Sequence, residues 1–174
     1  MKLIEPSMEY AQQIMAYRQE FLQAGGSMDG SGSLRRCETA EEWIRREQLY
    51  KSPETLPEGK VLASQYMYVR EADNKIVGLI QIRHYLNDYL ENYGGHIGYS
   101  VAPSERRKGY ASAMLKKALD ICRQMGLERV MISCYEDNEA SRRTILKNGG
   151  VYESTAIEPD SQRPLQRYWI DLRK

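Results

Sequence analysis

The stretch from His96 to Met125 constrains the fold of this chain more than any other. It contains an apolar strand, Ile97 to Val101, a short turn with Pro103, and a long amphipathic helix. A further strand is predicted directly after this helix, from Arg129 to Cys134. Because strand, helix and strand follow each other closely, we expect a parallel strand pair with a right-handed crossover.

The start of the long helix is suited to binding an anion. The first turn of a helix leaves about four backbone N–H groups unpaired, at the positive end of the helix dipole. Gly109 has no side chain to block the backbone, and arginine side chains pair well with phosphate oxygens. We therefore predict a pyrophosphate cradle from six consecutive residues: Arg106, Arg107, Lys108, Gly109, Tyr110 and Ala111.

Two signatures give the chain a family resemblance. The spacing Arg-x-x-Gly-x-Ala, after a strand with Val-x-Pro, resembles motif A of the GNAT superfamily of acyl-CoA-dependent N-acetyltransferases. The amides of that motif hold the pyrophosphate of coenzyme A. Downstream, the run from Asn138 to Gly149 is similar to the second GNAT signature. Neither G-x-G-x-x-G nor G-x-x-x-x-G-K-[ST] occurs, so dinucleotide-binding and P-loop sites are not indicated.

The resemblance implies a mixed α/β fold and a single GNAT-type N-acetyltransferase domain over residues 1–174. The central sheet is then mostly antiparallel and flanked by helices, and its fourth and fifth strands form a parallel, splayed pair. In that fold the pantetheine arm of acetyl-CoA enters the gap between these strands. The resemblance implies main-chain contacts to this co-substrate from Tyr99, Ser100 and Val101, and a side-chain contact from Asn138. Local sequence also makes Asn138 a helix N-cap.

Local patterns predict the remaining elements. Ser7 and Thr39 are candidate N-caps of two further helices, and Gly98 indicates either a bulge or a close backbone approach in the central strand. The Gly- and Ser-rich segment 25–33 is interpreted either as a mobile connecting loop or as a wall over the acceptor site. The other predicted strands are residues 3–6, 66–71, 76–83, 151–157 and 165–172.

The chemistry implied by the family needs a neutral amine. A lysine-like amine has a pKa near 10.4, so removing its proton at pH 7 costs roughly 4 to 5 kcal/mol. His96, at the start of the central strand, is the candidate base, because an imidazole titrates near pH 6.5. The alternative is that His96 is a hydrogen-bonded structural imidazole. Glu91 and Asp88 are further candidates acting through water.

A proton donor would assist departure of the thiolate. Many relatives carry a tyrosine four residues before the signature glycine, but here that position, counted back from Gly149, is Ile145. Tyr135, just beyond the fifth strand, is the substitute that we predict. A main-chain N–H near Val101 is expected to stabilise the developing oxyanion.

Composition limits the function classes. The net charge of +1 does not indicate nucleic acid as a partner, and no apolar run approaches the roughly 18 residues of a membrane span. Three cysteines without C-x-x-C spacing indicate neither disulfides nor a metal site, which suits the cytoplasm. We expect a monomer or homodimer acting on a small-molecule or peptide amine. A domain that senses acyl-CoA without turnover, and a ribosome- or RNA-associated acetyltransferase, are the alternatives.

Overall fold

The computed structural model describes residues 1–173 and has a mixed α/β architecture. Its helices are α1 (Ala11–Ala24), α2 (Ala40–Gln48), α3 (Tyr110–Gln124) and α4 (Glu139–Lys147). Its strands are β1 (Lys2–Ile4), β2 (Ala63–Arg70), β3 (Lys75–Arg83), β4 (Ile97–Val101), β5 (Arg129–Tyr135), β6 (Val151–Ile157) and β7 (Pro164–Asp171). None of the helices in residues 1–173 has both the length and the apolar character of a membrane span.

The strands form two antiparallel sheets, with the orders β1-β2-β3-β4 and β5-β7-β6. The strands β4 and β5, predicted to splay apart, lie in different sheets and share no ladder of hydrogen bonds. They are linked beside the start of β4, where Gly95 bridges to Ile132 and the N–H of His96 donates to the carbonyl of Met131 at 2.7 Å. A gap opens between β4 and β5 beyond this link.

Two apolar clusters hold the helices on the sheets. One lies under α3, the predicted amphipathic helix, whose apolar stripe is buried from Met114 to Cys122. The other joins α1 and α2 to the first sheet and centres on Phe21 and Trp43, both fully buried. Complete burial of side chains of this size contributes about 2 to 3 kcal/mol each. The first sheet is thus covered by helices on both faces, which fixes the direction of β4.

Most local predictions are confirmed. Thr39 Oγ1 accepts the N–H of Glu42 at 3.1 Å, and Asn138 Oδ1 accepts the N–H of Ser141 at 3.1 Å, so both side chains cap helices. Ser7 instead precedes a short 3₁₀ turn and makes no side-chain cap bond, so that α1 begins later than predicted. No bulge occurs at Gly98, because the β3–β4 register is continuous.

The close approach predicted as the alternative at Gly98 is present. The backbone of Gly30 packs against it so closely that a Cβ at Gly30 would lie 2.2 Å from the carbonyl oxygen of Gly98. Gly30 also has a φ of +71°, which favours glycine. Ser31 is buried, and its carbonyl accepts the indole N–H of Trp43 at 2.8 Å. The second half of segment 25–33 is therefore packed against β4 and α2.

Candidate active site

A cavity of about 250 Å³ occupies the gap between β4 and β5. Ile97, Gly98 and Tyr99 form its β4 side, and residues 133–135 form its β5 side. Asp29 and Gly30 close part of it, so the segment 25–33 is a wall of this cavity. We call it the transfer cavity.

Three of the residues predicted from sequence meet in the transfer cavity: Tyr99, Tyr135 and Asn138. The hydroxyl of Tyr99 lies 2.8 Å from Oγ of Ser141, which also lines the cavity. Burial raises the pKa of Tyr99, so the phenol stays protonated at neutral pH. Asn138 caps the helix that contains Ser141, and its cap bond therefore helps to position this wall.

Tyr135 is one of four phenols around the transfer cavity. The hydroxyl of Tyr89 donates to Glu158 at 3.3 Å, and that of Tyr99 bonds to Ser141. In residues 1–173 the hydroxyls of Tyr93 and Tyr135 make no hydrogen bond to protein. The guanidinium of Arg163 lies 3.9 Å from the ring centroid of Tyr135. Tyr135 therefore combines an available hydroxyl with a nearby cation.

Sequence reasoning missed three charged residues of the transfer cavity: Asp29, Arg83 and Glu158. Glu158 is 5% exposed and accepts the N–H groups of Asp160 and Ser161. Hydrogen bonds from Ser161 lower the pKa of Glu158, which therefore remains ionised at neutral pH. Asp29 and Glu158 come from two separate connections and Arg83 from the end of β3, and no motif links them in sequence. The interpretation of segment 25–33 as a wall was the only signal for Asp29.

His96 lies outside the residues that line the transfer cavity. Its Nδ1 accepts the N–H of Met131 at 2.9 Å, and its ring contacts Trp169 edge to face. Burial, assisted by the charges of Arg83 and Arg129, lowers the pKa of His96 to about 4. A neutral imidazole that accepts a hydrogen bond from a backbone N–H fits the alternative that His96 is a hydrogen-bonded structural residue.

The predicted phosphate cradle lies beyond the other end of β4. Gly109 is the N-cap of α3 with a φ of +80°, and beyond its two chain neighbours no atom of residues 1–173 lies within 4 Å of the place where its Cβ would be. The first intrahelical bond runs from the N–H of Ala113 to the carbonyl of Gly109 at 3.2 Å, which leaves the N–H groups of residues 110–112 without an intrahelical partner. The helix start is therefore open to an anion.

Exposed cations flank this helix start. Arg106 donates from Nε to the carbonyl of Val101 at 3.4 Å and lies over the ring of Phe21. Arg107 has a φ of +63° and makes no side-chain hydrogen bond within residues 1–173. Lys108 is paired with Glu105 at 2.8 Å. Two arginines are therefore available for a phosphate group.

Glu105 anchors the turn before α3. It is 3% exposed, and its carboxylate pairs with Lys108 and Arg70 at 2.8 Å and with Lys75 at 2.7 Å. Hydrogen bonds from these three cations, that of Lys108 first, lower the pKa of Glu105 to about 2. Arg70 also donates to the hydroxyl of Tyr110 at 3.0 Å. This cluster joins the cradle to β2 and β3.

The remaining predicted residues occupy different surroundings. Oγ of Ser100 lies 3.0 Å from the hydroxyl of Tyr17, and burial raises the pKa of that phenol. Val101 pairs with Gly78 in the β3–β4 ladder and packs at the edge of the core under α3. Ala111 is half-buried in the first turn of α3. Neither Ser100 nor Val101 lines the transfer cavity.

Comparison with known families agrees with this geometry. The model of the acetyltransferase (GNAT) family matches residues 33–149, a span that contains both the cradle and Asn138. Because the match covers more than half of the sequence, the chain belongs to the GNAT acetyltransferase family. It is thus an acyltransferase, and acetyl-CoA is the donor expected for its family. No curated protein matches the sequence significantly.

Solved structures share the fold at low identity. The ribosomal-protein-S5-alanine acetyltransferase of Vibrio fischeri is 18% identical with a TM-score of 0.69, over 99% of this chain and 92% of that chain. A mutant of the spermidine N-acetyltransferase of Vibrio cholerae is 15% identical with a TM-score of 0.63, over 99% and 95%. The microcin C7 self-immunity acetyltransferase, solved with acetyl-CoA and AMP, is 17% identical with a TM-score of 0.67, over 97% and 91%.

Proposed function

We propose that this protein transfers the acetyl group of acetyl-CoA directly to a primary amine, without a covalent enzyme intermediate. The observation that carries the proposal is the placement of two sites along one strand. The transfer cavity lies beside Ile97 to Tyr99, and the open helix start follows the end of β4 at Val101. At about 3.4 Å per residue, Ile97 and Val101 are roughly 14 Å apart, which suits an elongated donor with phosphates at one end.

The residues at the cradle fit a diphosphate. Open backbone N–H groups at the start of α3, with Arg106 and Arg107 beside them, would hold its oxygens. Tyr99 and Asn138 would contact the arm that runs toward the cavity. When bound, acetyl-CoA supplies an activated acetyl thioester. The protein's own contribution is then to position the amine, exclude water and move protons.

Two residues of the transfer cavity are assigned roles, one in placing the amine and one in protonating the leaving thiolate, while the proton that the ammonium group loses before attack passes to solvent. The ionised carboxylate of Glu158 attracts an ammonium group to the cavity and favours its orientation. Tyr135 is the proposed donor to the leaving thiolate, because its hydroxyl is available and Arg163 lies against its ring. His96 contributes by holding β4 to β5 through Met131.

The direct test is thiol release from acetyl-CoA, measured with a panel of primary amines and confirmed by mass spectrometry of the acetylated product. Release that depends on an amine supports the proposal. Binding of CoA without release with any amine would reject transfer. That result would favour the acyl-CoA-sensing alternative, which the buried Ile145 at the usual phenol position supports.

A further inference from the structure

A second cavity, of about 320 Å³, adjoins the transfer cavity. Arg83, Tyr89 and Leu90 line both cavities, so the two share a wall. The second cavity extends between α2, the 3₁₀ turn that follows it, and β2 and β3. Neither the phosphate cradle nor the predicted contacts of the donor reach it, and it therefore has no assigned ligand.

The charged residues in the walls of the second cavity are mainly cations. Arg36, Lys60 and Arg83 line it, and Glu47 is the one carboxylate among its lining residues within the described chain. Arg36 and Lys60 are exposed, and their side chains make no hydrogen bond to residues 1–173. Both charges are therefore available to a ligand.

Glu47 is occupied by the protein itself. Its Oε1 accepts the N–H of Ser33 at 3.0 Å and the hydroxyl of Ser33 at 3.1 Å, while Oε2 accepts Nε2 of Gln81 at 3.1 Å. Burial raises the pKa of this carboxyl, so its negative charge is disfavoured. Glu47 thus ties segment 25–33 to β3, and both of its oxygens are occupied by protein donors.

Arg83 is the cation placed between the two cavities. It is half-buried, and its Nη1 donates to the carbonyls of Gly94 at 3.2 Å and Gly95 at 3.0 Å. In residues 1–173 it forms no salt bridge, and its Nε and Nη2 make no hydrogen bond to protein. Burial lowers the pKa of its guanidinium, while the charge of Asp29 acts in the opposite direction. A half-buried guanidinium with free donors is suited to pair with an anion.

The two cavities therefore differ in the sign of their charged residues. The transfer cavity contains the carboxylates of Asp29 and Glu158, which attract an ammonium group. The second cavity contains Arg36 and Lys60, and Arg83 lies between the two. We infer that the second cavity binds an anionic group, a carboxylate or a phosphate, at the end of the acceptor remote from its amine, with Arg83 as the main contact. This inference rests on the proposed function, because it assigns the acceptor to an amine that also carries an anion.

The test compares acceptors that differ only in the remote group. γ-Aminobutyrate is compared with its neutral amide and with putrescine, and phosphoethanolamine is compared with ethanolamine, in the thiol-release assay. We expect kcat/KM for the better of the two anionic acceptors to exceed that of its neutral partner by at least about tenfold, the size of one charge-assisted hydrogen bond. The arm that shows this preference identifies carboxylate or phosphate as the source of the anion.

Variants assign the preference to the second cavity. Arg83→Gln should abolish the preference for the anionic acceptor. Because Arg83 also supports two carbonyls, the double variant Arg36→Gln with Lys60→Gln gives an independent test at exposed positions, with a several-fold loss expected. Arg45→Gln, on the exposed part of α2 and outside both cavities, is the matched control and should keep the preference.

The outcomes separate this inference from the proposed function. Acetylation of neutral and anionic amines at equal kcat/KM, unaffected by these variants, would overturn the inference and leave the proposed function intact. Calorimetry with CoA present gives the second readout. Binding of γ-aminobutyrate or phosphoethanolamine that is lost in the double variant, without thiol release, would support the anion site and reject transfer. If anionic and neutral acceptors give the same result in both assays, the anion site is overturned.

Discussion

The hydroxyl of Tyr99 lies 2.8 Å from Oγ of Ser141 and joins β4 to α4 across the transfer cavity. We expect Tyr99→Phe to lower the free energy of unfolding by about 1 kcal/mol, because the part-buried contacts of its hydroxyl with Oγ and the carbonyl of Ser141 are lost. Urea denaturation of Tyr99→Phe, Ser141→Ala and the double variant measures the coupling. Fully additive losses would show that the two hydroxyls do not stabilise each other.

The phosphate cradle predicts a specific effect of charge at Gly109. Gly109→Glu places a carboxylate at the open helix start, so we expect calorimetry to show at least about a tenfold loss of CoA affinity, the effect of about 1.4 kcal/mol. Gly126→Glu is the matched control, since Gly126 has a φ of +82° and lies just after the other end of α3. Backbone strain should destabilise both variants similarly. Equal CoA affinity in the two variants would contradict the cradle.

The packing of His96 predicts a pH-dependent stability. Its pKa falls from 6.5 in the unfolded chain to about 4 in the fold, so its contribution is complete above about pH 6.5 and is lost as the pH falls toward 4. Between about pH 7 and about pH 5 the wild type should lose roughly 2 kcal/mol more unfolding free energy than His96→Asn. Urea denaturation at both pH values measures this difference, and parallel losses would show that His96 keeps its ordinary pKa.

The same His96→Asn variant tests the base hypothesis of the sequence analysis. Because His96 lies outside the transfer cavity, we expect the pH profile of kcat/KM to keep its shape in this variant. Loss of the acidic limb of that profile would instead assign the base to His96.

The role proposed for Tyr135 predicts a variant in which kcat falls and KM for acetyl-CoA does not change. Tyr135→Phe should lower kcat at least about tenfold, within the range of general acid catalysis, and leave KM for acetyl-CoA unchanged. Tyr93→Phe is the matched control, because Tyr93 also lines the cavity and its hydroxyl makes no hydrogen bond to residues 1–173. A larger loss of kcat in Tyr93→Phe would transfer the role of proton donor to that phenol.

The features predictable from sequence are those set by neighbouring residues. The caps at Thr39 and Asn138 and the buried stripe of α3 follow from local hydrogen bonding and helical periodicity. The open turn at Gly109 belongs to the same class, since a left-handed residue before a helix favours glycine. The order of strands and helices also followed from periodicity together with the family resemblance.

The acceptor side of the site was not predictable, because it forms only through tertiary packing. Asp29, Arg83 and Glu158 come from separate parts of the chain and show no common spacing. The sequence could not decide between a bulge and a close backbone approach at Gly98, because the approaching residue, Gly30, is distant in sequence. Histidine is a residue type that can act as a base, so the sequence made His96 a candidate. Its burial and its hydrogen bond with Met131 depend on two strands that are distant in sequence.

The bridge beside Gly95 and His96 has a mechanical consequence. Because β4 and β5 share no ladder beyond this point, a molecule lying between them supplies the cohesion that adjacent strands normally give each other. Occupancy of the gap is thereby coupled to how firmly the two halves of the protein hold together. Ligand binding and resistance to heat should rise in step.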